Sequence, residues 1–467
     1  MVSNDLLQPA SVRLVDLLCG ALHVTTSSEG WVRPSRFNPA QFLALTSCMA
    51  WHPGLYRQMA NTTAGICLRF ATDATEVALA VRYDDEPSGT AAVLDNIPQR
   101  AEAKRQQAET DLQLVYDLRD YSVEHGPYDG FSVVVDGRPL GASFPQAGVL
   151  RASLRDPRED TGDGVVALPG LGQRHEVTIW LPCLRGCTMR EIWTNGTYVE
   201  PLGKRHRMLV LGDSVGQGFC SGDPALAWPA LVADQLGLEL VNQSLGGQVF
   251  QPTALIAADM DDVEHIVVEL GLNYRWERCS PTVVKQDVRG VLFELSKRWS
   301  KAHLWVLTPI WFNQKSSPVI KGSCYDLVAQ IIGDAARRYG ATLVDGSRLM
   351  DHSSALFEDG VVHPGAKGHE QMAQRLIDAM IKEVPSLAAL NSASEEADVA
   401  EEELAEELPL DIQTLDIFED LDADRGPELS SLEENSVGSE QPLAAQKVAV
   451  EDDAVQSIRA RKKRRRS

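Results

Sequence analysis

From Lys204 onward, short apolar runs alternate with longer amphipathic stretches, and this alternation narrows the possible folds more than any other feature of the chain. The runs Met208–Leu211, Glu239–Asn242, His265–Leu270, Leu304–Thr308 and Thr342–Val344 have the length and side-chain make-up of strands. Between them, Trp228–Leu236, Val288–Trp299 and Asp326–Tyr339 repeat apolar residues at helical spacing. Strands that alternate with helices predict an α/β fold, a three-layer sandwich with a central parallel sheet and helices on both faces. Ligands of such sheets bind beyond the carboxyl ends of the strands. The first run ends in Gly212-Asp213-Ser214 and so delivers a serine to that edge.

Residues 1–203 read differently. Ile66–Phe70 and Val77–Tyr83 alternate large with small or polar side chains, and Thr72–Thr75 between them supplies turn residues, which predicts a hairpin with one buried face. Phe131–Val135 precedes the turn pair Asp136-Gly137, and Val177–Leu181 stops at Pro182. Short strands at this spacing predict a β-sandwich, jelly-roll-like in character, over residues 1–203. Ala101–Asp117, rich in Ala, Glu, Lys, Arg and Gln, reads as a helix or a mobile insertion on it. The α/β region is expected over 204–385. The remainder, 386–467, is low in complexity and closes on a basic cluster, and it is expected to be a disordered tail.

Charge excludes some function classes. The net charge is −22, and residues 391–467 hold 21 acids against 9 bases, so over half of the excess lies in the tail. A moderately acidic body argues against a nucleic-acid groove. The basic cluster at the end could meet an anionic partner, whose identity the sequence leaves open. The N-terminus carries an acid where a secretory signal carries bases, and no stretch approaches 18 uninterrupted apolar residues. The eight cysteines are scattered, as buried thiols of a cytoplasmic protein usually are, and a cytoplasmic location is expected. Cys183 and Cys187 lack a second Cys/His pair nearby, so no metal site is expected.

Four segments of the α/β region carry the chemistry: Gly212–Ser214, Asn242–Gly247, Glu269–Asn273 and Asp359–Pro364. A serine hydroxyl attacks an ester only with a general base, and imidazole has a suitable pKa, so His363 is the candidate base. The base needs a carboxylate to hold its tautomer; Asp359 is the nearest in sequence, with Glu358, Asp351 or no acid as the alternatives. Negative charge on the former carbonyl oxygen needs donors already in place, and the N–H groups of Ser214 and Gly247 with the Asn273 side-chain amide are the candidates. Trp276, three residues past Asn273, is the candidate substrate wall. His369 reads as packed or solvated at a helix start.

These segments resemble the four blocks of the SGNH (GDSL) hydrolase family over roughly residues 205–384. Gly212-Asp213-Ser214-Val215 stands where the family has Gly-Asp-Ser-Leu, and Gly271-Leu272-Asn273-Tyr274 where it has Gly-x-Asn-Asp. The family's Asp-x-x-His is one residue longer here, Asp359 to His363, and the extra residue must be absorbed by a bulge or a helical turn. The order of a sandwich before the hydrolase is similar to carbohydrate esterase family 2 and to polyketide-tailoring acyltransferases. The resemblance implies a cofactor-independent serine esterase that forms an acyl-enzyme on short-chain esters, such as O-acetyl groups of a sugar or small metabolite. An acyltransferase using the same acyl-enzyme, or a non-catalytic glycan-binding scaffold whose longer fourth block has disabled the triad, are the alternatives.

Overall fold

The computed structural model of the protein describes residues 7–49, 54–85, 87–90, 130–143, 149–153, 173–276 and 278–388. The expected element at Ala101–Asp117 and the tail beyond residue 388 lie outside the described residues.

The five C-terminal strands form one all-parallel sheet in the order Glu239–Asn242, Arg207–Gly212, Val263–Glu269, His303–Leu307, Thr342–Val344. Alternate residues of these strands face opposite layers. Met208, Val210, Val267, Trp305 and Leu307 pack with the helices Trp228–Gln235 and Ala366–Glu383. Leu209, Leu211, Ile266, Val268 and Val306 pack with the helices Pro281–Arg298 and Tyr325–Arg338. The three-layer α/β fold is thus present. The helix expected from Val288 begins seven residues earlier, because Pro281 occupies its first turn, where a missing N–H costs nothing. Arg207–Gly212 has its chain successor on one side and the third strand on the other, so the sheet's topological switch point lies at its end. Ser214 starts the short helix Ser214–Gln217 at that point.

Two antiparallel sheets precede it. One runs His23–Thr26, Val32–Ser35, Cys187–Thr194, Glu76–Tyr83, Val149–Ser153; the other runs Val199–Pro201, Cys67–Thr72, His175–Trp180, Phe131–Val135, Arg138–Ser143. Their inner faces share one core, with Leu68, Phe70, Phe131, Val133, Val177 and Ile179 from one sheet meeting Val77, Leu79, Val81, Met189 and Ile192 from the other. The hairpin expected from Ile66–Phe70 and Val77–Tyr83 does not form. Cys67–Thr72 pairs with His175–Trp180, whereas Glu76–Tyr83 pairs with Cys187–Thr194 in the opposite sheet. The reason lies in the link: the Asp73 carboxylate accepts from the N–H and Oγ1 of Thr197 at 2.7 and 2.6 Å, which fixes Thr72–Thr75 as a corner between sheets instead of a hairpin turn. Asp136-Gly137 does turn a hairpin, with both φ positive (48° and 75°) as a tight two-residue turn requires.

The antiparallel half is packed directly on the strand Glu239–Asn242. A Cβ on Gly20 would stand 2.5 Å from Leu240 O, and one on Gly65 would stand 2.5 Å from Asn242 Cβ. No helix among the described residues is long and apolar enough to cross a membrane. The eight cysteines are free; Cys279 and Cys324 differ from scattered thiols in that their sulfurs are 2.6 Å apart.

Candidate active site

Ser214 opens its helix because Asp213 caps it, accepting from Val215 N–H at 3.0 Å. That cap holds the serine at the end of the first strand with only a small part exposed. The Ser214 Oγ lies 2.9 Å from His363 Nε2, and His363 Nδ1 lies 2.6 Å from Asp359 Oδ2. Residues 149 positions apart in the chain are therefore joined in one hydrogen-bonded relay. The His363 ring is stacked on Phe219 at 5.6 Å, which fixes its plane from the other side.

The extra residue between Asp359 and His363 is taken up locally. Gly360 adopts φ +68°, and the loop closes so that Asp359 Oδ1 accepts three backbone N–H groups, from Val361 (2.9 Å), Val362 (2.8 Å) and His363 (3.1 Å). Asn313 supports it from outside, its N–H donating to Val361 O and its side chain to Gly360 O. Burial works to raise the Asp359 pKa, but the hydrogen bond and charge of His363 and the backbone donors outweigh it and hold the carboxyl well below the ordinary range. Asp359 is thus an anion at neutral pH. The other acids are placed elsewhere: Asp351 pairs with Arg375 at 2.6 Å, and Glu358 lies beside Gly365.

The expected oxyanion donors also converge on this edge. Gly247 sits at φ +79° on the loop after Asn242. Among the described hydrogen bonds, neither Ser214 N–H nor Gly247 N–H is donated to a protein acceptor. Asn273 differs. Its Nδ2 donates to Asp213 Oδ2 and to Gln248 O, each at 3.0 Å, so both of its hydrogens are engaged and one bond must open for it to serve an oxyanion. Trp276 is 39% exposed, three residues further on, with the Arg275 guanidinium 4.7 Å from its ring. His369 is buried and packed, accepting from Trp228 N–H and donating to Phe219 O, and burial drops its pKa to about 4.

Three neighbours of the site were not singled out as functional in the sequence. Burial pushes the Asp213 carboxyl up to about 6, against the opposing pull of Val215 N–H, Arg275 and His363. Beneath it, Glu269 is buried and accepts from Asp213 N–H at 3.4 Å; burial first and the Asp213 charge second push its pKa well above the ordinary carboxyl value. Arg275 is buried, its guanidinium bonded to Leu272 O and packed on Trp276 and Phe312. Burial lowers its pKa to about 10, which leaves it cationic near Asp213 and Asp359. The available signal was a charged residue directly inside or after a motif, Glu269 at a strand end and Arg275 two past Asn273. Without the tertiary packing that signal cannot be told from a solvated charge.

A relay of serine, imidazole and buried carboxylate at the switch point of a parallel sheet is the arrangement that serine acyl transfer requires. Comparison with known proteins agrees: residues 210–371 match the GDSL-like lipase/acylhydrolase family, so the parallel-sheet half of this chain carries a domain of that family. Among solved structures, the chain is similar to a salicylyl-acyltransferase, SsfX3, from a tetracycline biosynthetic pathway, at 17% identity and TM-score 0.55, covering 84% of this chain and 97% of that one. It is equally similar to a GDSL-like protein from Bacteroides ovatus, at 16% identity and TM-score 0.55 over 81% and 98% of the two chains. A family two carbohydrate esterase from Cellvibrio japonicus follows at 11% identity and TM-score 0.46, over 80% and 97%. At these identities the likeness is one of fold. No curated protein matches in sequence.

Proposed function

We propose that this chain is a serine esterase that forms an acyl-enzyme on Ser214 and releases short acyl groups, O-acetyl groups of a sugar or small metabolite among them. The observation that carries the reading is the continuous relay from Ser214 Oγ through His363 to Asp359, with separations of 2.9 and 2.6 Å. His363 Nε2 takes the hydroxyl proton as Oγ bonds to the ester carbonyl carbon, and Asp359 stabilises the imidazolium at Nδ1. The N–H groups of Ser214 and Gly247 receive the oxyanion, joined by Asn273 once it gives up one of its two bonds. The C–O bond then breaks, the alcohol leaves with the proton from His363, and water activated by the same imidazole releases the acid. Every step is served by side chains and backbone of this chain. We assign Trp276 to the wall of the substrate cleft, so that Trp276→Ala raises KM more than it lowers kcat.

The near-complete burial of Ser214 and His363, 9% and 8% exposed, favours one second reading. A site that excludes water lets an alcohol intercept the acyl-enzyme, and the similarity to an acyltransferase is in keeping with that. Both readings require a nucleophilic Ser214, whereas a glycan-binding scaffold does not.

The test is hydrolysis of p-nitrophenyl acetate by the wild type and by Ser214→Ala, with and without competing alcohols, and labelling by a fluorophosphonate. Turnover that disappears with Ser214→Ala supports the esterase, and ester products formed with added alcohol support the transferase. A folded wild type that neither turns over nor is labelled refutes both.

A further inference from the structure

The N-terminal half reaches into the site by one side chain in particular. Arg36 follows the strand Val32–Ser35, is 0% exposed, and lies against the loop that carries Gly247. Its five N–H groups are all used. Nη1 donates to Asn242 O and Ser244 O, each at 2.8 Å; Nη2 donates to Met59 O at 2.6 Å and Thr62 Oγ1 at 2.9 Å; Nε donates to Thr62 O at 3.0 Å. Every acceptor is a neutral oxygen. A buried cation without a carboxylate is costly, and here carbonyl dipoles aimed at a planar fork offset that cost. Burial lowers the Arg36 pKa to about 9, so the fork is still charged near neutral pH.

What the fork grips is the turn between Asn242 and Gly247. Asn242 Oδ1 accepts from Ser244 N–H while its Nδ2 donates to Gly216 O, in the helix that Ser214 opens. Gln217 of that helix accepts from Gly246 N–H at 2.8 Å and donates to Thr62 Oγ1 and Cys183 O. Gln243 donates to Arg36 O and exchanges bonds with Gln41. Tyr56 OH donates to Gly247 O at 3.2 Å. The loop is thus tied to its own domain, where Gln243 N–H and Leu245 N–H also donate to Val210 O and Gly212 O at 2.8 and 3.0 Å, and about as heavily to residues 36–63.

We infer that Arg36 is a positioning residue for the oxyanion donor Gly247, and that the N-terminal half is a working part of the active site. The inference rests on the esterase reading above for its catalytic consequence, though not for its structural one. A lysine at this position keeps the charge but presents one nitrogen where the fork presents three, so it cannot hold Asn242 O, Ser244 O and the Met59–Thr62 turn together. The turn then samples other arrangements, the Gly247 N–H leaves the position of the developing charge, and transition-state binding falls while substrate binding does not.

The experiment compares the full-length wild type with Arg36→Lys and Tyr56→Phe. Hydrogen exchange of the 244–248 amides is read by mass spectrometry, and kcat and KM are read on p-nitrophenyl acetate. Arg36→Lys is expected to speed exchange in that segment, with exchange in the strands 207–212 and 263–269 unchanged, and to lower kcat by about 100-fold, the cost of one lost oxyanion donor, at an unchanged KM. Tyr56→Phe, which removes the bond to Gly247 O and the one accepted from Gln251 Nε2 but no charge, is expected to act in the same direction and more weakly; it carries the test if Arg36→Lys does not fold. Unchanged exchange at 244–248, or an unchanged kcat in an active protein, overturns the inference. A wild type without esterase activity whose Arg36→Lys variant still loosens 244–248 overturns the esterase reading and leaves the clamp standing.

Discussion

Replacing Asp359 by asparagine tests the relay with the least disturbance to the fold. The native carboxylate uses Oδ1 for three backbone N–H groups and Oδ2 for His363 Nδ1. An asparagine can keep only one of these arrangements. With its oxygen under the three N–H groups, its amide nitrogen faces Nδ1 and donates to it. Turned the other way, it sets an NH2 against three donors and forfeits three hydrogen bonds, each worth about 1 kcal/mol, so the first orientation is preferred by about 2–4 kcal/mol. In that orientation Nδ1 must be an acceptor, the imidazole proton moves to Nε2, and Nε2 faces Ser214 Oγ as a donor that cannot take its proton. Loss of the stabilised imidazolium adds to this. The expected fall in kcat is about 1,000- to 10,000-fold, or about 4–5.5 kcal/mol of activation free energy, with KM little changed and the melting temperature close to wild type. The assay is p-nitrophenyl acetate hydrolysis beside Ser214→Ala, with circular dichroism to verify folding. A folded Asp359→Asn enzyme that keeps more than about a tenth of wild-type kcat refutes the assignment of Asp359, since a wrong tautomer cannot cost so little.

Other outcomes follow from the same geometry. Because the folded-state pKa of Asp359 is lowered, its share of stability is complete above the unfolded carboxyl value and is lost as pH falls through the folded one; acid unfolding of the wild type should therefore be steeper than that of Asp359→Asn. Glu269 is the opposite case. Its raised pKa means the unfolded chain ionises first, so stability falls as pH rises between the unfolded and folded values, and Glu269→Gln should melt higher than wild type at pH 8 and at the same temperature below pH 4. Leu376→Ala, at a fully buried position of the helix Ala366–Glu383, should cost about 2–5 kcal/mol in urea unfolding while leaving kcat of the folded enzyme intact. Gly247→Ala places a Cβ 2.8 Å from Leu55 Cδ2 at a φ of +79°, so it should lower kcat, and adding Leu55→Ala should not restore it fully because the backbone strain persists.

The sequence by itself determined the elements whose identity is set by local periodicity. Glu239–Asn242 and Thr342–Val344 are strands over the spans read from their side chains, and the alternation of strand with helix implied the parallel sheet. It also singled out Ser214, Gly247, Asn273, His363 and Asp359, because serine, glycine, amide, imidazole and carboxylate form a chemically closed set. Tertiary structure decided what depends on partners distant in the chain. Whether Cys67–Thr72 pairs with the next strand or crosses to another sheet turns on Thr197, over a hundred residues away, which no local window contains. The five-residue reach from Asp359 to His363 closes only because Gly360 takes a left-handed φ and three N–H groups gather on one carboxylate oxygen. The raised pKa values of Asp213 and Glu269 and the lowered one of Arg36 beneath the Gly247 loop arise from burial, and burial is a property of the packed molecule. An isolated Arg36 reads as one more surface charge; only the fold surrounds it with five neutral acceptors, and the physical reason is that desolvation exists only once two halves of the chain have closed on each other.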